Sequence, residues 1–216
     1  MSVTLAAGTS VYIAQTYGSS SSISAVTNAN PAVATCGAGH GFIVGDIIQV
    51  SFPNSELLNN RVFRVSAVST NDVTLEGLDT SSTSDYATGF ATGASAREIT
   101  AWAEVTQVTR DFQISGGEQQ YADISTLKNK RDKKIPTTRT SYDVALPVFD
   151  DPSLTFYSTI KAANGIVTAG RFIYPGGSRT LFAGYWTIGD FATTQDSTLR
   201  NAVAVTLDSD PTRYAT

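Results

Sequence analysis

YDVALPVFDDPSLTFYSTIKAANGIVTAGRFIYPGGSRTLFAGYWTIG, residues 142–189, strings together a strand, a helix and a hairpin. Residues 142–149 read as a strand. Asp151 is a good N-cap residue, Pro152 suits the first helical position, and Asn164-Gly165 supplies a stop. Leu154, Tyr157, Ile160 and Ala163 recur near helical spacing, so the signals predict one helix over about 151–164 with an apolar stripe of about three turns. Strands follow at 166–174 and 179–186, joined by the turn Pro175-Gly-Gly177. This is the one strong helix signal in the chain, and it lies among strands on both sides.

Working outward, a last strand is expected at 201–207 and a long one at 101–112. The stretch after Gly116-Gly117 gives another at 119–124. A first strand is expected at Val11-Tyr-Ile-Ala14, followed by a Ser-rich connection at 18–22. From 24 to about 85 the strand signals are compact: 32–36, 46–52, 61–69 and 72–78. The turn Ser69-Thr-Asn-Asp72 sits between two apolar runs in a hairpin-like arrangement. That block reads as a small antiparallel barrel or sandwich, and the polar stretches 80–84 and 87–96 lead out of it. The fold class is therefore mainly β with one helix. The 17 Gly and 7 Pro read as turn punctuation.

Composition excludes several chemistries. The chain has 216 residues with a single Cys and a single His. Cys36 cannot form an intrachain disulfide or a thiolate zinc site, and His40 cannot build a two-histidine metal site. No apolar run approaches the length of a transmembrane helix, and the N-terminus lacks a signal-peptide pattern, so neither a membrane span nor secretion is expected. Gly37-Ala-Gly39-His-Gly41 is followed by Phe42 and a strand, so it reads as a turn and not a dinucleotide loop. His40 has no nucleophile signature near it. Asp150-Asp151 is better explained by the helix start than as a catalytic pair. No catalytic residue, cofactor or metal is expected, and the protein is expected not to be an enzyme.

Charge is uneven. Residues 1–85 hold two basic and six acidic groups, a net of −4, whereas residues 86–216 hold thirteen of each. Within 127–139, Lys128, Lys130, Arg131, Lys133, Lys134 and Arg139 stand against Asp132, a net of +5. This run lacks the aromatic interleaving of single-strand nucleic-acid binders. It reads as an arm that meets an acidic surface on a neighbouring subunit.

The order of elements from Glu104 to Tyr214 resembles the tail tube (major tail) proteins of long-tailed phages. The resemblance is carried by Glu104-Val-Thr-Gln-Val-Thr-Arg110, Ala122-Asp-Ile-Ser-Thr-Leu127 with the charged loop after it, and the strand and helix opened by Asp-Asp-Pro. It continues through Phe172-Ile-Tyr-Pro-Gly-Gly177 and Leu181-Phe-Ala-Gly-Tyr-Trp-Thr-Ile-Gly189. Ser125 departs from the Thr usual there, and Thr137-Thr-Arg139 replaces a common Gly. Residues 31–80, with Gly39-His-Gly41-Phe, Gly45-Asp-Ile-Ile and Asn60-Arg-Val-Phe-Arg-Val65, resemble a small β module named after a domain of ubiquitin-activating enzymes and found inserted in phage structural proteins.

The resemblance implies a tube domain of 1–22 plus 86–216, with sandwich or barrel-forming sheets, and an inserted barrel-like module at 23–85. It implies a structural virion protein of the phage tail, assembled in the host cytoplasm, that polymerises as stacked homohexameric rings into the conduit for genome DNA. Tape-measure, tail tip and terminator proteins would be its other partners, and DNA would pass without specific binding. The charged arm would stack rings, with Asp150 and Asp151 among the groups it meets. Two other readings remain open here. One is a β-sandwich adhesin or carbohydrate-binding module using Trp102, Tyr185 and Trp186. The other is the tube of a contractile injection system.

Overall fold

The computed structural model describes residues 8–87, 90–126, 131–195 and 198–215. The chain opens with β1 (Ser10–Tyr17) and β2 (Ser21–Val26), then β3 (Ala32–Cys36), β4 (Ile47–Ser51), β5 (Val62–Ser69), β6 (Asp72–Leu75) and β7 (Ser95–Glu104). Strands pair in the order β2-β3-β6-β5-β4-β7, and β7 pairs back onto β2 through Ser21 with Ala96 and Ser22 with Ser95. The six strands thus close into a small barrel, which leaves no open edge along the ring. Short strands with alternating small and branched residues fill it. Ala32, Ala34 and Cys36 point inward from β3, and Phe52, Leu58, Phe63, Leu75 and Leu78 are buried with them. The same core takes in Phe90, Ala91, Ala94 and Ala96.

One strand joins the barrel to the rest. Residues 95–98 of β7 pair with β4, while residues 99–104 pair with β1. From β1 the sheet runs on through β12 (Val167–Ile173), β13 (Arg179–Ile188), β15 (Thr198–Leu207), β11 (Tyr142–Phe149) and β8 (Gln113–Gly116), with the short β14 (Thr193–Gln195) also on β15, antiparallel throughout. Period-2 alternation decides its faces. Val144, Leu146 and Val148 of β11, Val203, Val205 and Leu207 of β15, and Trp186 of β13 all point to one core. The helix α1 (Thr155–Ala162) buries Phe156, Tyr157 and Ile160 against it. Phe172, Phe182 and Trp186 stack in series there, with centroids 5.3 and 5.8 Å apart. On the other face, Ala14, Ala169, Leu181 and Ala183 pack against Ile47 and Val62 of the barrel.

A buried joint ties the barrel to the C-terminal strand β16 (Thr212–Tyr214), which pairs with the start of β13. The Tyr214 hydroxyl accepts from the Arg64 backbone N–H and donates to the Glu76 carbonyl, each at 3.0 Å. Arg64 in turn holds Glu76 through two hydrogen bonds of 2.5 and 2.6 Å. Burial, the main cause, pushes the Tyr214 hydroxyl up to about 12.

Several expectations are corrected. The helix is shorter than 151–164, and Asp151 does not cap it. Its N-cap is Leu154, with no side-chain cap bond. Asp151 instead accepts from the Ser153 N–H and hydroxyl, at 3.1 and 2.6 Å, forming a turn just before the helix. Pro152 belongs to that turn. The connection expected at 18–22 is shorter, covering 18–20, because β2 begins at Ser21 and closes the barrel. The strand expected at 101–112 begins at Ser95 and ends at Glu104, since the Ala-rich start is buried while Gln107 takes φ +62. The turn at Pro175-Gly-Gly177 is as expected, with Gly177 N–H donating to Tyr174 O at 3.0 Å.

Candidate functional site

Two surfaces stand out. The first is a projecting hairpin. β8 and β11 pair in the main sheet, then the two chains bend and pair again as β9 (Gln119–Asp123) and β10 (Lys134–Arg139), a separate two-stranded sheet. The bend is built by Gly116 and Gly117, at φ +89 and +74. Side chains are excluded there, since a Cβ on Gly116 would lie 1.9 Å from the Ser141 carbonyl. Of the arm residues, Arg131, Lys133, Lys134 and Arg139 are exposed on this hairpin. Lys128 and Lys130 lie outside the described residues. What reads as a loop in sequence is therefore partly strand, with Pro136 tolerated in an isolated two-stranded ladder. Tyr121 and Ile135 face solvent on the same hairpin, 60% and 44% exposed.

The second surface is the outer face of β13, β15, β11 and β8. Its cross-strand rows follow from the register: Tyr185, Thr206, Asp143 and Ser115 in one, Thr187, Ala204, Ala145 and Gln113 in the next. All eight are exposed. They are small or neutral apart from Asp143, which accepts from the Thr206 hydroxyl at 2.6 Å. Among the described residues, the basic residue nearby in the register is Arg200, paired with Asp111 at 3.5 Å. Among the described residues this face has free strand edge at β8 and at the end of β13, whereas Tyr185 still pairs with Val167 of β12. β8 ends the sheet, and Thr187 and Ile188 of β13 pair with β15 alone. Sequence reading did not single out this face. Its signal was the alternation in 142–149 and 201–207, whose exposed half could not be told from a face covered by another element.

Asp150 and Asp151 are already engaged within the chain. Asp150 accepts from the Tyr157 hydroxyl at 2.9 Å and from Asn201 at 3.2 Å, and Asn201 is also bonded to Tyr157 and to the Gly189 carbonyl. Burial, then the Asp150 carboxylate, raises the Tyr157 hydroxyl above its ordinary range. This network locks α1 onto β15. Exposed carboxylates lie elsewhere. Glu56 and Asp85 border one pocket, and Glu56, Asp208 and Asp210 border another at the base of the hairpin.

The remaining candidates are structural. His40 Nδ1 accepts from the Phe42 N–H, leaving Nε2 to donate to the Thr70 carbonyl at 3.1 Å. Cys36 is buried in the barrel, and burial pushes its thiol up to about 11. The sugar platform does not form. Trp186 is 0% exposed with its Nε1 donating to Thr168 O, and Arg171 stacks over Trp102 at 4.4 Å. Tyr185, next to Trp186 in the strand, points to the opposite face. Among the described residues no cluster of three His, Cys, Asp or Glu could hold a metal ion, and no helix is long and apolar enough to cross a membrane.

The described residues thus combine a mainly β fold with an exposed hairpin and a largely neutral, exposed sheet face. The family described as phage tail tube protein (TTP) matches residues 54–216, and the chain belongs to that family. The match begins inside the barrel, between β4 and β5. No curated protein matches the chain. Membership implies a structural protein of the virion tail that self-assembles into a tube.

Proposed function

We propose that the protein polymerises as stacked homohexameric rings into a hollow tube through which genome DNA is delivered to the host cell, and that it is not an enzyme. The observation that carries this reading is the open face of β8, β11, β15 and β13. A DNA conduit must not hold its cargo, because each phosphate contact with Lys or Arg releases counterions and adds affinity. A face of Ala, Thr, Ser, Gln and one Tyr with a single carboxylate suits that requirement. Four antiparallel strands also run in opposite directions at the two margins, so copies related by rotation can join β8 of one to the β13 end of the next. Closure removes the exposed edges, and a barrel of about 24 strands exceeds the 16–18 that already leave an aqueous channel.

The hairpin stacks one ring on the next. Its basic side chains would meet Glu56 and Asp210 of a neighbouring copy, since Asp85, Asp150, Asp151 and Asp208 already accept hydrogen bonds within the chain. The block at 23–85 would sit on the outer wall of a tube domain formed by 1–22 and 86–216, with β7 as its mount. Assembly would occur in the host cytoplasm, on a tape-measure protein and against tail tip and terminator proteins. The test is a thiol placed on the face: Ala204→Cys in a Cys36→Ala background, labelled with a small gold cluster after assembly. Density along the tube axis is expected. Label on the outer wall would overturn the reading of this face as the lumen.

A further inference from the structure

Two guanidinium groups lie near each other without a counter-charge. Alternation puts Arg171 of β12 and Arg179 of β13 on the face of the sheet that packs on the barrel, together with Ala169, Leu181 and Ala183. Arg171 stands opposite Leu181, and Arg179 precedes Leu181 by two residues. The two arginines are therefore diagonal neighbours on adjacent strands, about 7–8 Å apart. Both are half-buried. The Arg171 guanidinium lies over the Tyr12 ring at 4.6 Å and over the Trp102 ring at 4.4 Å, which fixes its position. The Nε of each arginine is buried with no hydrogen-bond partner, and among the described residues neither forms an ion pair. Burial holds the Arg171 guanidinium below its ordinary range, and the Arg179 charge adds to the effect. Buried donors of this kind call for an acceptor, and the guanidinium fork matches a carboxylate.

A complementary pair sits on the barrel. Glu98 of β7 stands opposite Ile48 of β4, and Asp46 precedes Ile48 by two residues. These carboxylates are diagonal neighbours too, with the same spacing of about 7–8 Å. Both are half-buried, and among the described residues neither forms an ion pair. Asp46 accepts from the Ile43 N–H at 2.7 Å, which holds its carboxylate in place. Burial, then the Asp46 charge, raises the Glu98 carboxyl above its ordinary range. The two pairs cannot meet within one chain. Arg171 stands opposite Tyr12, and Tyr12 stands opposite Glu104, six residues along β7 from Glu98. That separation is roughly 20 Å. Glu104 itself is exposed and forms no ion pair among the described residues.

We propose that Arg171 and Arg179 of one copy hold Asp46 and Glu98 of a neighbouring copy, guanidinium against carboxylate. Two positive groups meet two negative ones at matched spacing, and each like-charged pair is neutralised on assembly. The barrel then ties adjacent subunits together from the outer side of the tube. This rests on the tube reading and adds to it a working role for the barrel, apart from the basic hairpin.

Charge exchange tests the contact. Arg171→Glu with Arg179→Glu, and separately Asp46→Lys with Glu98→Lys, should each lower tube yield about tenfold or more at low salt. An equal mixture of the two variants should recover tubes, because every contact in it can join opposite charges. The chain carrying all four changes should recover them too. A second measurement leaves Arg171 and its ring contacts intact: Arg179→Cys with Glu98→Cys in a Cys36→Ala background, assembled and treated with a short bis-maleimide. A ladder of linked chains is expected, absent when either thiol is missing. Native tubes with no recovery on charge exchange, with yields untouched by reversal, or with no ladder would overturn the contact and leave the tube reading standing. Native chains that never form tubes would overturn both. Inorganic phosphate bound by the native monomer and lost in Arg171→Glu with Arg179→Glu, with no recovery on exchange, would assign the arginines to a free oxoanion and overturn the contact.

Discussion

Gly170 lies beneath the aromatic stack of the sheet core, and its replacement by Ala tests that packing directly. A Cβ there would sit 2.4 and 2.6 Å from the Phe182 ring and 2.6 Å from the Trp186 ring. Its backbone φ is not in the left-handed region, so the penalty is purely steric. Neither ring can swing away, because Phe182 is 2% and Trp186 0% exposed, and Phe182 is held between Phe172 and Trp186. Overpacking of this kind costs about 1–3 kcal/mol. The lost flexibility of glycine in the unfolded chain returns about 0.4–1 kcal/mol. A net destabilisation of about 1–2 kcal/mol is expected for Gly170→Ala. Urea unfolding of the dilute chain, followed by tryptophan fluorescence, reads it. Phe182→Leu removes the ring atoms in the way, so the double variant should be less destabilised than the sum of the singles by at least about 0.5 kcal/mol. A neutral or stabilising Gly170→Ala, or strictly additive singles, would refute the packing argument.

Three more outcomes are expected. Replacing Lys130, Arg131, Lys133 and Lys134 with Ser should reduce tube yield strongly and leave the monomer melt nearly unchanged, because the described ones are exposed; equal loss of both would sink the arm as a stacking element. The Arg64 hydrogen bond holds the Glu76 carboxyl below its ordinary range, so the stability it contributes is present above that range and is lost as pH falls through the depressed value. Glu76→Gln should cost about 0.5–1 kcal/mol at neutral pH and flatten the acid limb of the melt, and an unchanged acid limb would contradict the joint. Burial pushes the Cys36 thiol up to about 11, followed in importance by the charge of Asp72. Maleimide should label it only as the barrel unfolds in urea, and fast labelling of the native chain would show that the barrel opens on its own.

Much of the fold is legible in the sequence because its strands carry their period. The strands at 32–36 and 142–149 are read to the residue, and the Pro-Gly-Gly turn falls where expected. The misreadings have physical causes. Ser21 and Ser22 look like linker residues, yet their backbone closes the barrel against Ser95 and Ala96, and a ladder needs no particular side chain. The Ala-rich run before residue 96 looks featureless because small residues fill a tight core without showing a strong pattern. Asp151 matches a helix cap in type, but its carboxylate is taken by Ser153 one turn early. The basic arm announces itself by charge alone. The neutral face beside it does not, because exposure on a sheet depends on which elements fail to cover it.

Ring formation is the claim on which the rest depends, and rotational symmetry measures it most directly. Electron micrographs of the purified, concentrated chain, with and without an assembly initiator, should show hollow rings and tubes whose class averages have sixfold symmetry. Monomers alone under every condition, or assemblies with a filled centre, would contradict it.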